Sequence, residues 1–119
     1  MDRINVSKEN ISSQLAVFLF KEEDSYIAYS PALDLSGYGK TEEDARNSFN
    51  ITLKEYFDYC VDKGTLYQDL VNHGWNIKKN ELETPRISFL ITKNAELSNI
   101  LEQKDFKKYN EPINVPAFA

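Results

Sequence analysis

Apolar and polar positions fall into blocks near the start of the chain. Gln14–Phe20 is a compact apolar run that ends at a charge cluster over residues 21–25, and a second run, Tyr26–Ser30, ends at Pro31. Two such runs joined by a short polar turn predict a β-hairpin. A third strand is predicted over Leu35–Tyr38, where nearby glycines let the chain leave the strand and enter a helix. Three strands therefore come first, and their short connections favour an antiparallel sheet.

A helical pattern begins at Glu42 and runs to Lys63. Thr41 can cap the first free amides, Asp44 stands at the capping-box position, and Gly64 follows the last helical residue. Apolar residues recur every three or four positions and form one stripe, which predicts a helix packed on one face of the sheet. The stripe comprises Ala45, Phe49, Leu53, Tyr56, Phe57 and Cys60.

The pattern after Gly64 is weaker and predicts short elements. They are a helix over Leu66–Asn72, a strand over Trp75–Lys78, an extended segment over Ile87–Ile91, a helix that Asn94 caps and that runs to about Gln103, and a further sheet strand over Ile113–Pro116. The first ten residues are expected to be a loose arm, with an edge strand over Arg3–Val6 at most. The sequence thus predicts one α+β domain over residues 1–119, with a core at about 14–64 and a C-terminal α/β elaboration at about 65–119.

The first predicted strand carries apolar residues at every position from Leu15 to Phe20, so both of its faces are apolar. One helix can cover only one of these faces. The cover for the other face could be the segment after Gly64, a second copy of the chain, or a partner protein. The apolar strand and four aromatic residues favour a homodimer. These aromatic residues are Phe18, Phe20, Tyr26 and Tyr29.

Charge separates the two halves of the chain. The 119 residues hold 14 Lys and Arg against 19 Asp and Glu, for a net charge of −5. Residues 1–62 hold six basic and twelve acidic side chains, whereas residues 63–119 hold eight and seven. An acidic first half favours a basic partner and disfavours nucleic acid. The longest apolar stretch, Leu15–Phe20, is far too short to span a membrane, so the expected location is the cytoplasm.

The residue inventory argues against catalysis. A single cysteine, Cys60, and a single histidine, His73, leave no His/Cys zinc cluster. Cys60 lies on the apolar stripe, where a free thiol packs as a small hydrophobe, and His73 stands where it can end a helix. The acidic residues are mostly in turns or at the helix start, where solvation and the helix dipole account for them. We therefore expect no metal site, no cofactor and no enzymatic activity.

A connected motif runs from the hairpin into the long helix. It comprises Ser30-Pro31-Ala32-Leu33, then Gly37, then Gly39-Lys40-Thr41-Glu42-Glu43-Asp44-Ala45. An aromatic-rich hairpin followed by S/C-P-x-L, a glycine and a G-x-T-x-E-E-A helix start resembles the HicB-like antitoxin family, over roughly Leu15–Gly64 of this chain. The resemblance implies a partial ribonuclease H-like fold without catalytic carboxylates. It also implies a non-catalytic antitoxin that binds and neutralises a small basic, mRNA-cleaving toxin of the HicA type.

The acidic first half suits such a basic partner independently of the resemblance. The expected partner-binding residues are Glu22, Glu23, Asp24, Tyr26, Asp34, Glu42 and Glu43. Family members often add a DNA-binding domain after the last strand, whereas only Ala117-Phe118-Ala119 follow here, so DNA binding is doubtful. The alternative function is an orphan interaction or structural module without a toxin partner.

Overall fold

The computed structural model describes residues 10–78 and 81–116. This part of the chain forms six strands and four helices. In order they are β1 (Asn10–Glu22), β2 (Ser25–Ser30), β3 (Leu35–Gly39), α1 (Glu42–Lys63), α2 (Leu66–Asn72), β4 (Asn76–Lys78), β5 (Glu81–Glu83), α3 (Ile87–Lys93), α4 (Ala95–Gln103) and β6 (Phe106–Pro116). The fold is α+β, as the sequence predicts.

The main sheet has four antiparallel strands in the order β3-β2-β1-β6. The register pairs Phe18 with Tyr29 and, on the other side of β1, with Lys108. Because alternate residues point to opposite faces, the sheet has one face that carries Leu19, Ala28 and Gly37 and another that carries Phe18 and Tyr29. We call these the α1 face and the α4 face, after the helix that lies on each.

Two strands are longer than the sequence predicts. β1 begins at Asn10, which was expected to belong to a loose arm, while Arg3–Val6 lies outside the described residues. β6 begins at Phe106, well before the predicted Ile113, and pairs with β1 from Phe20 back to Asn10. Its first half is polar because an end strand needs apolar side chains only where a neighbour covers it. The long β1–β6 ladder therefore joins the two ends of the described chain.

Helix α1 packs closely on β3 and β2. Thr41 accepts a hydrogen bond from the Asp44 amide at 3.0 Å, and Gly64 ends the helix in the left-handed conformation with φ +70°. Both capping predictions are confirmed. Gly37 makes the close approach possible, since a Cβ there would lie 2.2 Å from the Phe49 amide nitrogen. The predicted apolar stripe is also confirmed: Ala45, Phe49, Leu53 and Cys60 are buried, and Tyr56 and Phe57 are partly buried.

The elaboration after α1 packs on the motif turn at 31–34. Trp75 is buried and its indole nitrogen donates to the Ala32 carbonyl oxygen at 2.8 Å. β4 and β5 form a two-stranded antiparallel sheet, of which the sequence indicated only the first strand. The prediction of an extended segment over Ile87–Ile91 is wrong, because this stretch is helix α3. The inward side chains there have helical spacing, since Ile87 is partly buried and Leu90, three positions later, is buried, whereas Phe89 and Ile91 are exposed.

The second face of β1 is covered from within the chain. Asn94, the N-cap of α4, donates through its side-chain nitrogen to the Tyr29 hydroxyl oxygen at 2.6 Å. Leu97 and Ile100 of α4 are fully buried in the same core as Phe18 and Phe20, which are 2% and 3% exposed. The segment after Gly64 therefore supplies the cover that the sequence left open. A homodimer stays a prediction, but Phe18 and Phe20 no longer argue for it.

Candidate partner-binding site

Six of the seven predicted partner-binding residues lie at one end of the sheet. Glu22, Glu23 and Asp24 form the corner between β1 and β2, where Glu22 pairs with Ser25. Tyr26 pairs with Gly39, the last residue of β3, and the first turn of α1 with Glu42 and Glu43 follows directly. We call this set of six residues the hairpin end. The topology thus brings together acidic residues from two separate stretches of sequence.

Two of the hairpin-end acids are paired with lysines of the same chain. The Lys104 ammonium lies 3.3 Å from a Glu22 carboxylate oxygen, and the Lys107 ammonium lies 3.1 Å from Glu42. Both lysines come from the start of β6 or just before it, and β6 begins opposite Phe20. Such exposed pairs contribute little to stability, but each one cancels local negative charge. The attraction expected for a basic partner is therefore weakened at Glu22 and Glu42.

The remaining hairpin-end residues are differently placed. Glu23, Asp24 and Glu43 are exposed, and none of them has an ion-pair partner within residues 10–78 and 81–116. Glu23 takes a positive φ of 54° in the two-residue turn. Tyr26 is half-buried, with the Lys21 ammonium 5.7 Å from its ring centroid. Three free carboxylates thus remain at this end.

Asp34 lies at the opposite end of the sheet from the hairpin end. It sits in the turn between β2 and β3 with φ +56°, a conformation that Asp tolerates better than most residues. Its carboxylate accepts a hydrogen bond from the Tyr29 hydroxyl at 2.8 Å. Burial, together with this carboxylate, raises the pKa of Tyr29, and the Asn94 side chain opposes part of the shift. Asp34 therefore helps to hold α4 on the sheet through Tyr29 and Asn94.

Sequence reasoning missed a second acidic surface, between α1 and β6. A recess of about 670 Å³ is lined by the second half of α1 and by residues 111–114 of β6. A smaller recess of about 430 Å³ adjoins the first turns of α1, and the two share Asn50 and Glu111 as lining residues. We call the two recesses together the α1–β6 groove. No pattern in the sequence indicated it, because the start of β6 was placed after Glu111.

The floor of the α1–β6 groove is apolar and partly open. Among its lining residues Leu53 and Ile113 are buried, Phe57 is half-buried, and Val61 is 50% exposed. At the smaller recess the Arg46 guanidinium lies 4.0 Å from the centroid of the Tyr109 ring. This cation–π interaction holds the guanidinium over the face of the ring.

The lone histidine and cysteine lie near a hydrogen-bonded cluster at the junction of α1 and α2. The Tyr56 hydroxyl donates to the carboxylate oxygen Oδ2 of Asp69, and the His73 Nδ1 lies 3.4 Å from the same oxygen. Burial and this carboxylate raise the pKa of Tyr56. Cys60 is buried and His73 ends α2, so both structural predictions are confirmed. The cluster fastens α2 to α1.

Within the described ranges, no three or more His, Cys, Asp and Glu side chains are grouped so that they could hold a metal ion. None of the helices in this part of the chain has the length and apolar character needed to cross a membrane. The sequence matches no family model, and no significant match to it is found among curated proteins or solved structures.

Proposed function

We propose that this chain is a non-catalytic HicB-like antitoxin module that binds and neutralises a small basic HicA-type mRNA-cleaving toxin. The observation that carries the proposal is the way in which the motif shared with that family builds the β3–α1 junction. Gly37 and Gly39 both face the backbone of α1, where a Cβ would lie within 2.6 Å of Ala45 or Phe49 backbone atoms. Thr41 caps the helix in the same stretch.

The first part of the motif has an equally specific structural role. Ser30 ends β2, and Pro31, Ala32 and Leu33 form the buried turn that leads to β3. The motif residues therefore all belong to one strand-turn-strand-helix unit. A motif that sets the geometry of such a unit is expected to recur in proteins that share the fold. This agreement supports the resemblance, and the activity that the resemblance implies follows from it as a proposal.

The distribution of charge supports a basic protein partner. Carboxylates of Glu23, Asp24 and Glu43 are exposed at the hairpin end, and further acids line the α1–β6 groove. Complementary charge accelerates association and helps to select partners. A binding module of this kind needs an accessible surface and no convergent catalytic groups.

One observation favours the second candidate, an orphan interaction or structural module. Glu22 and Glu42, which were expected to attract the toxin, are paired with Lys104 and Lys107 of the same chain. A surface whose carboxylates already form ion pairs within the chain attracts a basic partner less strongly. The orphan module would keep the fold and lack the toxin.

The deciding experiment begins with the gene neighbourhood. We expect a short open reading frame that encodes a basic protein beside this gene, and we expect its product to co-purify with the tagged chain at about 0.15 M salt, where long-range attraction is already largely screened. Expression of that product alone should arrest growth, and co-expression of this chain should restore it. If there is no such neighbour and no basic protein is retained, the orphan module replaces the antitoxin.

A further inference from the structure

The α1–β6 groove combines two properties of protein-binding surfaces. Its floor presents partly exposed apolar side chains, chiefly Phe57, Val61 and Pro112. An apolar patch rimmed by polar groups is typical of an interaction site. The groove lies on the α1 face beside β6, an end strand of the sheet. At the opposite end strand, by contrast, the Tyr38 amide donates to the Ser48 hydroxyl of α1 at 3.2 Å.

The charges around the groove are predominantly negative. Five carboxylates line it against two cations, Arg46 and Lys54. Lys54 is paired with Asp58 at 2.7 Å, and Arg46 is stacked on Tyr109. Asp62, Glu111 and Glu43 have no ion-pair partner among the residues that the structure describes. Unpaired carboxylates beside an apolar floor favour cations on the occupant.

We propose that the α1–β6 groove is the docking site for a segment of a basic protein that presents apolar side chains flanked by Lys or Arg. This inference rests on the proposed function and assigns the partner surface to the groove, which shares Glu42 and Glu43 with the hairpin end, in preference to the corner between β1 and β2. The apolar side chains of the partner pack against Phe57 and Val61, and its cations lie beside Asp62 and Glu111. Pro112 has no amide to donate, so the partner docks through side chains more than by adding a strand to β6.

A second copy of this chain is a poor occupant for the same groove. In a two-fold dimer the same surface meets itself, which would place one acidic rim against another. Like charges at an interface oppose association. The charge pattern therefore selects a partner of opposite sign.

The first test uses the full-length chain and a library of displayed random peptides. We expect the enriched peptides to combine apolar residues with Lys or Arg, and to bind the Val61→Glu variant at least about tenfold more weakly. Ile51→Glu is the matched control, because Ile51 is 62% exposed on the same helix and does not line the groove. The control should change affinity less than about twofold. The absence of enriched peptides, or equal losses in the two variants, would overturn the proposal.

A second arm uses the basic product of the neighbouring gene and a pair of charge reversals. Asp62→Lys should weaken its binding by about tenfold, whereas Glu55→Lys, on the same helix but outside the groove, should have a much smaller effect. If the product binds the wild-type chain and both variants equally, the assignment of the docking site to the groove is wrong and the antitoxin function stands. If the product does not bind but the peptides do, the antitoxin function fails and the groove stands. Sedimentation that shows a dimer dissociated by Val61→Glu would assign the groove to a second copy and overturn the proposal.

Discussion

The two faces of the main sheet are closed by different means. On the α1 face the backbone of the helix approaches the backbone of β3 at Gly37, and both elements belong to one continuous stretch of sequence. On the α4 face, large side chains such as Phe18 fill the space, and the Asn94 side chain reaches Tyr29 across 65 positions of sequence. One face therefore depends on local sequence and the other on distant contacts.

The largest effect is expected on the α1 face. Gly37→Val would place a Cβ 2.2 Å from the Phe49 amide nitrogen and 2.8 Å from the Ala45 carbonyl oxygen, and neither backbone atom can move without shifting the helix. We expect a loss of at least about 3 kcal/mol in the free energy of unfolding, measured by chemical denaturation. Gly64→Ala is the control, since open space surrounds Gly64 and only its positive φ adds a cost, of about 1 kcal/mol. Equal stability of the Gly37 variant and the wild type would contradict the described approach.

Truncation on the α4 face should have a slightly smaller effect. Phe18→Ala removes a ring that is 2% exposed, and we expect it to cost about 3 kcal/mol at an unchanged molecular mass. The control, Phe106→Ala, removes the ring that lies 5.5 Å from Phe18 but is itself 38% exposed, and it should cost clearly less. Sedimentation of the same samples separates the two explanations of the apolar face. If Phe18→Ala halved the molecular mass without lowering the free energy of unfolding, a second copy of the chain would be the cover of Phe18.

The α4 face should also be sensitive to alkali. Burial and the Asp34 carboxylate raise the pKa of Tyr29, so the folded state keeps this phenol protonated while the unfolded state ionises near pH 10. The contribution of Tyr29 is therefore complete below about pH 10 and is lost at higher pH, by up to about 1.4 kcal/mol per pH unit. Tyr29→Phe should be less stable at neutral pH but should lose less stability between about pH 10 and pH 11. If the free energy of unfolding of the two proteins falls by the same amount between about pH 10 and pH 11, the pKa of Tyr29 is not raised.

The smallest effects are expected at the two ion pairs, one on each face. Lys107→Ala removes the partner of Glu42 on the α1 face, and Lys104→Ala removes that of Glu22 on the α4 face. Because both pairs are at least partly exposed to solvent, each change should cost less than about 0.5 kcal/mol. The measurement is the denaturation midpoint at low and high salt. A cost above about 1 kcal/mol for either variant would mean that the pair is a structural anchor.

Much of the fold could be predicted because its signals are local. The Thr41 cap, the Gly64 terminator and the apolar stripe between them define α1 without reference to any other element. β6 was placed too late because its first half is polar and is a strand only through its pairing with β1. The helix at Ile87–Lys93 was missed because tertiary burial of Leu90 outweighed the strand preference of its β-branched neighbours.

The candidate site was harder to predict, for a physical reason. A sequence shows which residues are acidic but not which of them are neutralised by a distant lysine, as Glu22 and Glu42 are. It also cannot show a recess whose two walls, α1 and residues 111–114, are separated in sequence by all the elements from α2 to α4. Asp34 illustrates the same limit, because its bond to Tyr29 depends on a turn with an unusual backbone conformation.

The β1–β6 ladder has a consequence for the order in which the protein can fold during synthesis. It pairs Asn10 with Pro116 and Phe20 with Phe106, so one edge of β1 has no partner until nearly the whole described chain has left the ribosome. Until α4 emerges, Phe18 also lacks the cover of its own face. Sequence-distant pairing slows folding and exposes an aggregation-prone strand in the meantime. We therefore expect nascent chains that stop before α4 to bind chaperones through β1.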